Sequence, residues 1–268
     1  MSGRFEHKKS LGQHFLNSDY VPKLMCEAAG DIAGKTVLEI GPGTGILTHE
    51  ILARGAKVVA IEADARAISS LEETFADEIA RGVLTIFHHD ARDLSDLPRF
   101  GLEEHSYIAI SNIPYYLSGS LFRSLLDTDC QPSDLVFLVQ KEVAERIARD
   151  KKESLLSLSI KAFGTPSYIS TVKKGHFTPP PKVDSAIVKV GDINHVRLSG
   201  LDPAQFFHLL HLGFGQKRKQ LLGNLSQQYN RDALTALFTS LSLDTTIRAE
   251  DVPLTQWVDL TKTITLLK

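Results

Sequence analysis

The sequence predicts an α/β protein with a parallel, doubly wound sheet covered by helices on both faces, followed by a smaller all-helical domain. Short β-branched apolar runs alternate with helical patterns between residues 35 and 140, which is typical of a parallel sheet. A glycine-rich bend, GPGTG, follows the first run, and beyond residue 200 the apolar spacing is helical. Because 268 residues are long for one domain, we predict two domains, at 1–195 and 196–268.

The predicted strands are rich in β-branched and apolar residues and span 35–41, 57–64, 83–90, 107–112 and 134–140. Two helical patterns, 46–55 and 65–81, lie between the first three strands. In sheets of this kind, ligands bind beyond the carboxyl ends of the strands. We therefore expect the functional residues to follow strand ends.

After Gln140 the pattern changes. Residues 141–150 form an amphipathic helical pattern, and the apolar segment 154–164 fits a helix or a strand equally well. Residues 175–190 predict a proline-stiffened loop that leads into a strand. The remaining helical patterns are 201–214, 231–241 and 254–267.

Composition describes an ordinary globular protein with two distant cysteines and no CxxC pair. We expect a cytoplasmic protein, because neither a secretory signal nor an apolar stretch long enough for a bilayer is present. Charge is uneven: residues 31–104 carry 14 acidic and 7 basic side chains, whereas residues 141–189 carry 10 basic and 5 acidic ones. This asymmetry fits a polyanionic partner, and it fits solvated surface lysines equally well.

The glycine bend and two acids indicate a nucleoside site. Gly41, Gly43 and Gly45 follow the first strand, without the lysine of a phosphate loop or the GxGxxG spacing of a dinucleotide site. Glu62 ends the second strand, where a carboxylate can accept both ribose hydroxyls, and Asp90 ends the third, where it can accept from an adenine amino group. Together they resemble the S-adenosylmethionine site of Rossmann-like S-adenosylmethionine-dependent methyltransferases. NAD remains the alternative cofactor, because a ribose-binding acid is common to both.

The fourth strand ends in SNIPYY, in which Asn112, Ile113, Pro114 and Tyr115 resemble the motif of the ribosomal RNA adenine dimethylases. The lone pair of an exocyclic adenine amine is delocalised into the ring. Acceptors at its N–H groups, the Asn112 side-chain oxygen and the Ile113 carbonyl, favour pyramidalisation. Tyr115 is suited to stack on the unstacked base. Tyr116 stands where the family also frequently has Asn, which affects the rim of the pocket.

The resemblance runs from about residue 7 to 225, and it assigns further roles. LGQHFLN resembles the leader that lies across the cofactor, FTPPPKVDSA resembles the family's proline-rich signature, and GQKRKQLLGNL resembles its RNA-facing helix. The resemblance implies cofactor contacts by Gln13, His14, Leu16 and Asn112, a cover over the adenine by Phe177, and RNA contacts by Lys182, Lys217, Arg218 and Lys219.

The family's activity is the transfer of two methyl groups to each of two adjacent adenosines near the 3′ end of small-subunit ribosomal RNA. The resemblance therefore implies S-adenosyl-L-methionine as cofactor, a pre-30S-type particle as partner, action late in small-subunit assembly, and a monomer. Neither composition nor spacing identifies that substrate; they indicate only a site suited to an unstacked adenine.

Three other functions stay open. A large-subunit RNA methylase of the antibiotic-resistance type shares the chemistry, although the proline signature and the basic C-terminal domain favour the small-subunit enzyme. The intact NIPY motif argues against a non-enzymatic assembly or transcription factor, and the glycine spacing argues against an NAD-dependent oxidoreductase. No metal is expected, because His208 and His211 lack further flanking ligands, and His88 and His89 point to opposite faces of a strand.

Overall fold

The computed structural model describes residues 14–265, so Gln13 lies outside the described residues. The strands are β1 (Phe15–Leu16), β2 (Thr36–Ile40), β3 (Lys57–Glu62), β4 (Leu84–His88), β5 (Tyr107–Asn112), β6 (Asp134–Gln140), β7 (Thr165–Val172), β8 (Phe177–Thr178) and β9 (Ser185–Gly191). The helices are α1 (Tyr20–Ala29), α2 (Ile46–Ala53), α3 (Ala65–Thr74), α4 (Ala76–Ala80), α5 (Ser118–Leu126), α6 (Lys141–Ala148), α7 (Leu155–Lys161), α8 (Pro203–Gly213), α9 (Leu221–Leu225), α10 (Arg231–Ser240) and α11 (Leu254–Thr265). Short 3-10 helices lie at Leu97–Phe100, Tyr115–Leu117, Lys174–His176, Val196–Leu198 and Ala249–Asp251.

The main sheet has the strand order β4-β3-β2-β5-β6-β9-β7. The strands from β4 to β6 run parallel, and β9 pairs antiparallel with β6. The central strands β5 and β6 are buried along almost their whole length, as expected for strands covered on both faces. The predicted α/β fold with a helical C-terminal part is therefore confirmed.

The order of the strands reverses between β2 and β5: β3 and β4 follow β2 on one side, whereas β5 and β6 lie on the other side. The carboxyl ends of β2 and β5 separate. Their residue pairing ends at Leu38 and Ala109. Beyond it, the backbone N–H of Ile40 donates to the side-chain oxygen of Ser111, at 2.8 Å. A buried N–H needs a partner, and this serine provides one while the two strand ends diverge. The resulting crevice is the position at which such sheets bind ligands.

The structure shows the conformation of two segments, one that the sequence left open and one that it predicted as a loop. The apolar segment at 154–164 is the helix α7, whose first turn is closed by a reciprocal capping box between Ser154 and Ser157. The proline-rich loop contains β8, which pairs with β1 near the start of the described chain. The loop is thereby attached to the leader.

The described residues form two compact units: 14–145 with 166–193, and 146–165 with 194–265. In the second unit, the Phe163 ring lies 5.9 Å from the Phe207 ring and 5.4 Å from the His195 ring. These contacts assign 146–165 to the helical unit, whereas the predicted boundary at 195/196 leaves that segment in the first domain. The boundary itself stays a prediction. Of the helices between residues 14 and 265, none combines the length and apolar character that a membrane crossing requires.

Candidate functional site

A cavity of about 600 Å³ opens at the carboxyl ends of β2, β3, β4 and β5. Its walls combine backbone of the glycine bend, the acids after β3 and β4, and the segment after β5. The lining residues are His14, Phe15, Ile40, Gly41, Gly43, Ile61, Glu62, Ala63, Asp64, Ala65, His88, His89, Asp90, Ala91, Arg92, Asn112, Ile113, Pro114, Tyr115, Tyr116 and Leu117. The sequence motifs of four strand ends therefore meet at one place.

The glycine bend has two functions. Gly43 lines the cavity at φ +56°, and a Cβ there would lie 2.7 Å from Cε1 of Phe15. A Cβ at Gly45 would lie 2.5 Å from the ring of Phe75, and Gly45 is absent from the cavity lining. Gly43 thus leaves room for the Phe15 ring beside the cavity, whereas Gly45 permits close packing against Phe75 and Leu71.

Glu62 is 6% exposed, and backbone N–H groups fix its carboxylate. Oε2 accepts from Gly43 N at 3.3 Å, and Oε1 accepts from the N–H groups of Ala63 and Asp64 at 2.9 Å each. Each carboxylate oxygen has two acceptor sites, so after these three hydrogen bonds one site remains, on Oε2, for a hydroxyl group. This arrangement fits the ribose of a bound nucleoside.

Asp90 is held by Arg92, a partner that the sequence reasoning did not consider. The Arg92 Nε lies 3.0 and 2.9 Å from the two carboxylate oxygens of Asp90, and the Arg92 backbone N–H also donates to Oδ1. These hydrogen bonds from Arg92 lower the pKa of Asp90 to about 2. The carboxylate is therefore ionised and can accept from an adenine amino group at the cavity wall.

The orientation of the Asn112 amide is set by the leader. Its Nδ2 donates to the backbone carbonyl of His14 at 3.2 Å, while Nδ1 of His14 donates to the carbonyl of Pro179 at 2.8 Å. Because the amide nitrogen donates to the His14 carbonyl, Oδ1 is the atom that can accept a further hydrogen bond. Asn112 thus presents an acceptor at the tip of β5.

Two tyrosines follow Asn112 and differ in their surroundings. The Tyr115 ring lies 5.7 Å from the His14 ring, and its hydroxyl lies 2.7 Å from the Ser185 hydroxyl. Tyr116 is 65% exposed at the rim. The preceding residues, Ile113 and Pro114, also line the cavity.

Besides Gly45, two more residues predicted for this site do not line the cavity. Leu16 and Phe177 pair across β1 and β8, and both belong to the hydrophobic core; Phe177 is only 2% exposed. Phe177 is therefore buried and absent from the cavity lining, and its role as a cover over the adenine stays a prediction. The pairing instead attaches the leader to the loop before β9.

The predicted RNA-binding lysines and arginine are not among the residues that line this cavity. Lys182 is exposed in the loop before β9. In the helical unit, a shallow concavity of about 460 Å³ is lined by Arg218, Lys219, Gln220, Gly223, Thr246 and Arg248. Thr246 and Arg248 escaped the sequence reasoning, because they lie outside the basic run and only folding brings them to it. Lys217 adjoins the concavity in sequence but is not part of its lining.

Two of the histidines that the sequence raised as possible metal ligands have local partners. Nε2 of His88 lies 3.2 Å from the carbonyl of Ala63, and Nε2 of His208 lies 2.9 Å from Oε1 of Gln228. In the part of the chain from 14 to 265, no group of three or more metal-binding side chains comes together.

Glu39, one residue before the end of β2, is a buried acid that sequence reasoning missed. It is 1% exposed, and it accepts a hydrogen bond from Thr48 Oγ1 at 2.7 Å. Burial raises its pKa to about 8, with a smaller contribution from the charge of Glu62. At neutral pH the carboxyl is therefore largely protonated, and its hydrogen bond with Thr48 joins α2 to the end of β2.

Replacing Glu39 with glutamine is expected to stabilise the protein increasingly as pH rises from about 5 to 8. In this window the folded state retains a proton that the unfolded state has lost, so the wild-type free energy of unfolding falls with pH by up to roughly 1.4 kcal/mol per unit. Glutamine preserves the shape of the side chain and an oxygen that accepts from Thr48. It does not titrate, so it adds no pH dependence to the free energy of unfolding. Urea unfolding of both proteins at several pH values measures the difference, and a constant difference would contradict the raised pKa.

Comparisons with known proteins give a consistent result. The profile of the family described as "Ribosomal RNA adenine dimethylase" matches residues 4–266. "Ribosomal RNA small subunit methyltransferase A" of Dehalococcoides mccartyi is 37% identical, covering 93% of this chain and 86% of that protein. The protein of the same name from Trichormus variabilis is 33% identical, covering 94% and 96%. Among solved structures, a dimethyladenosine transferase from Plasmodium falciparum has a TM-score of 0.78 at 24% identity, covering 94% and 98%, which shows the likeness of the fold.

Proposed function

This chain belongs to the ribosomal RNA adenine dimethylase family, and from that premise we propose that it dimethylates two adjacent adenosines near the 3′ end of small-subunit ribosomal RNA. Its methyl donor is S-adenosyl-L-methionine. It acts late in small-subunit assembly, as a cytoplasmic monomer on a pre-30S-type particle. The curated relatives are named for the small subunit, which favours this substrate over the large-subunit alternative.

The cavity fits an adenosine-containing methyl donor. Glu62 accepts from a ribose hydroxyl and Asp90 from the adenine amino group, and the Gly43 backbone forms part of the cavity wall beside them. The sulfonium of the bound donor supplies an activated methyl group, so a strong general base is unnecessary. The chain's residues have to hold the target amine in line with that methyl group.

The observation that carries this proposal is the direction of the Asn112 amide. With its nitrogen donating to the His14 carbonyl, its oxygen accepts from the target amine in the cavity that also contains Glu62. The Ile113 carbonyl accepts the second N–H of the amine. Tyr115 stacks on the base, which must leave its helical stack to enter.

The function is tested by incubating the protein with labelled methyl donor and small-subunit particles from cells that lack the modification. We expect label in dimethyladenosine near the 3′ end of the small-subunit RNA, identified by mass spectrometry. Label in large-subunit RNA would favour the antibiotic-resistance type of methylase. Absence of label from both RNAs would contradict the proposal.

Removing one cation of the concavity in the helical unit, with Arg248→Ala, is expected to weaken RNA binding. It should also reduce the salt slope of the binding constant by about 1, because one phosphate contact is lost. Arg231→Ala is the matched control, since Arg231 is an exposed arginine of the same unit outside this concavity. Equal salt slopes for both variants, measured by fluorescence anisotropy with small-subunit RNA, would remove Arg248 from the interface.

A further inference from the structure

Tyr115 has a polar contact to a residue outside the cavity lining. Its hydroxyl oxygen lies 2.7 Å from Oγ of Ser185, whose side chain is completely buried. We propose that Ser185 is a positioning residue whose hydroxyl holds the Tyr115 ring in the plane that receives the target base. This inference rests on the proposed function and gives a role to a serine of the proline-rich motif that is absent from the cavity lining.

Ser185 is itself placed on rigid structure. It begins β9 and pairs with Gln140 at the end of β6. The neighbouring backbone is fixed as well, because Lys141 N donates to the carbonyl of Asp184 at 3.0 Å. A hydroxyl on a strand that is paired within the sheet has a fixed position, so it can orient a side chain that it contacts.

Tyr115, in contrast, begins a three-residue 3-10 helix that has no side-chain cap. Its ring contacts the His14 ring at an interplanar angle of 30°, and burial raises the pKa of its hydroxyl, which therefore stays neutral. Without Ser185 Oγ, the phenol would have to turn toward water to satisfy its hydroxyl. Such a turn moves the ring face on which the base stacks.

The test uses Ser185→Ala, Tyr115→Phe and the double variant, assayed for methyl transfer to small-subunit particles. Ser185→Ala should lower kcat roughly five- to tenfold, the loss expected for one buried hydrogen bond, without changing the affinity for S-adenosylmethionine. The double variant should be more active than Ser185→Ala, because removing both hydroxyls leaves neither one unpaired. Losses that multiply in the double variant would show that the two hydroxyls act independently of each other.

Ser157→Ala is the matched control, because Ser157 is also a completely buried serine and belongs to the helical unit. It should lower the unfolding temperature and leave kcat unchanged. Wild-type kcat in Ser185→Ala, or multiplied losses in the double variant, would overturn the inference.

A crystal structure of Ser185→Ala tests the inference independently of enzyme activity. We expect the Tyr115 ring to leave its present plane, and a ring in the wild-type plane would overturn the assignment whatever the activity. Failure of the unchanged chain to methylate the particles would count against the proposed function, and the ring position would still decide the role of Ser185.

Discussion

Asn112→Ala is expected to lower kcat for methyl transfer roughly 100- to 1,000-fold while leaving RNA affinity unchanged. The variant removes the oxygen that accepts from the target amine, and loss of one preorganised polar group at a reacting centre has a cost of this order. RNA affinity comes mainly from phosphate contacts, which the substitution does not touch. Single-turnover methylation and anisotropy titrations with the same RNA measure the two quantities separately.

Asn17→Ala is the matched control for this variant. The Asn17 side chain also donates to a backbone carbonyl, that of Gly175 at 2.9 Å, but lies outside the cavity lining. We expect it to retain wild-type kcat. Undiminished methylation by Asn112→Ala would remove the amide from the chemistry.

Glu62→Gln is expected to weaken the binding of S-adenosylmethionine about 10- to 100-fold. The substitution replaces a charged acceptor with a neutral one, and hydrogen bonds to charged groups contribute about 1.5–3 kcal/mol. Its amide also brings an NH2 group to a position where one oxygen now accepts from Gly43 N and the other from two further N–H groups. On one side, the NH2 group of glutamine therefore faces a backbone N–H donor in place of the acceptor that glutamate provides. Calorimetric titration with S-adenosylmethionine measures the loss.

Glu78→Gln controls for the change of one negative charge, because Glu78 pairs with Arg81 on the surface and is not part of the cavity. It should bind the cofactor as tightly as the wild type. A parallel titration with NAD separates the two cofactors that share a ribose-binding acid. Stronger binding of NAD than of S-adenosylmethionine would overturn the proposed cofactor.

The fold and much of the cavity follow from local sequence patterns. Continuous apolar runs such as 107–112 and 134–140 indicate strands buried on both faces, and parallel pairing brings the residues after them to one edge. Glu62, Asp90 and Asn112 were predictable for that reason. Each of them stands at or next to a strand end, so the topology alone brings them together.

Other features depend on contacts between distant segments, which periodicity does not contain. The burial of Phe177 results from the pairing of β8 with β1, across more than 160 residues of sequence. The Ser185 contact and the position of Arg248 beside Arg218 arise in the same way. A lone hydroxyl or arginine carries no local signal of its partner.

The sequence by itself determined the parallel sheet, the nucleoside-binding edge and the resemblance to a methylase of adenine amines. Only the tertiary structure decided which atom of the Asn112 amide faces the cavity and that Phe177 lies in the core. It also decided that Glu39 is buried beneath the bend. The physical reason is that secondary structure follows from local spacing of apolar side chains, whereas orientation, burial and protonation depend on groups that meet only after folding.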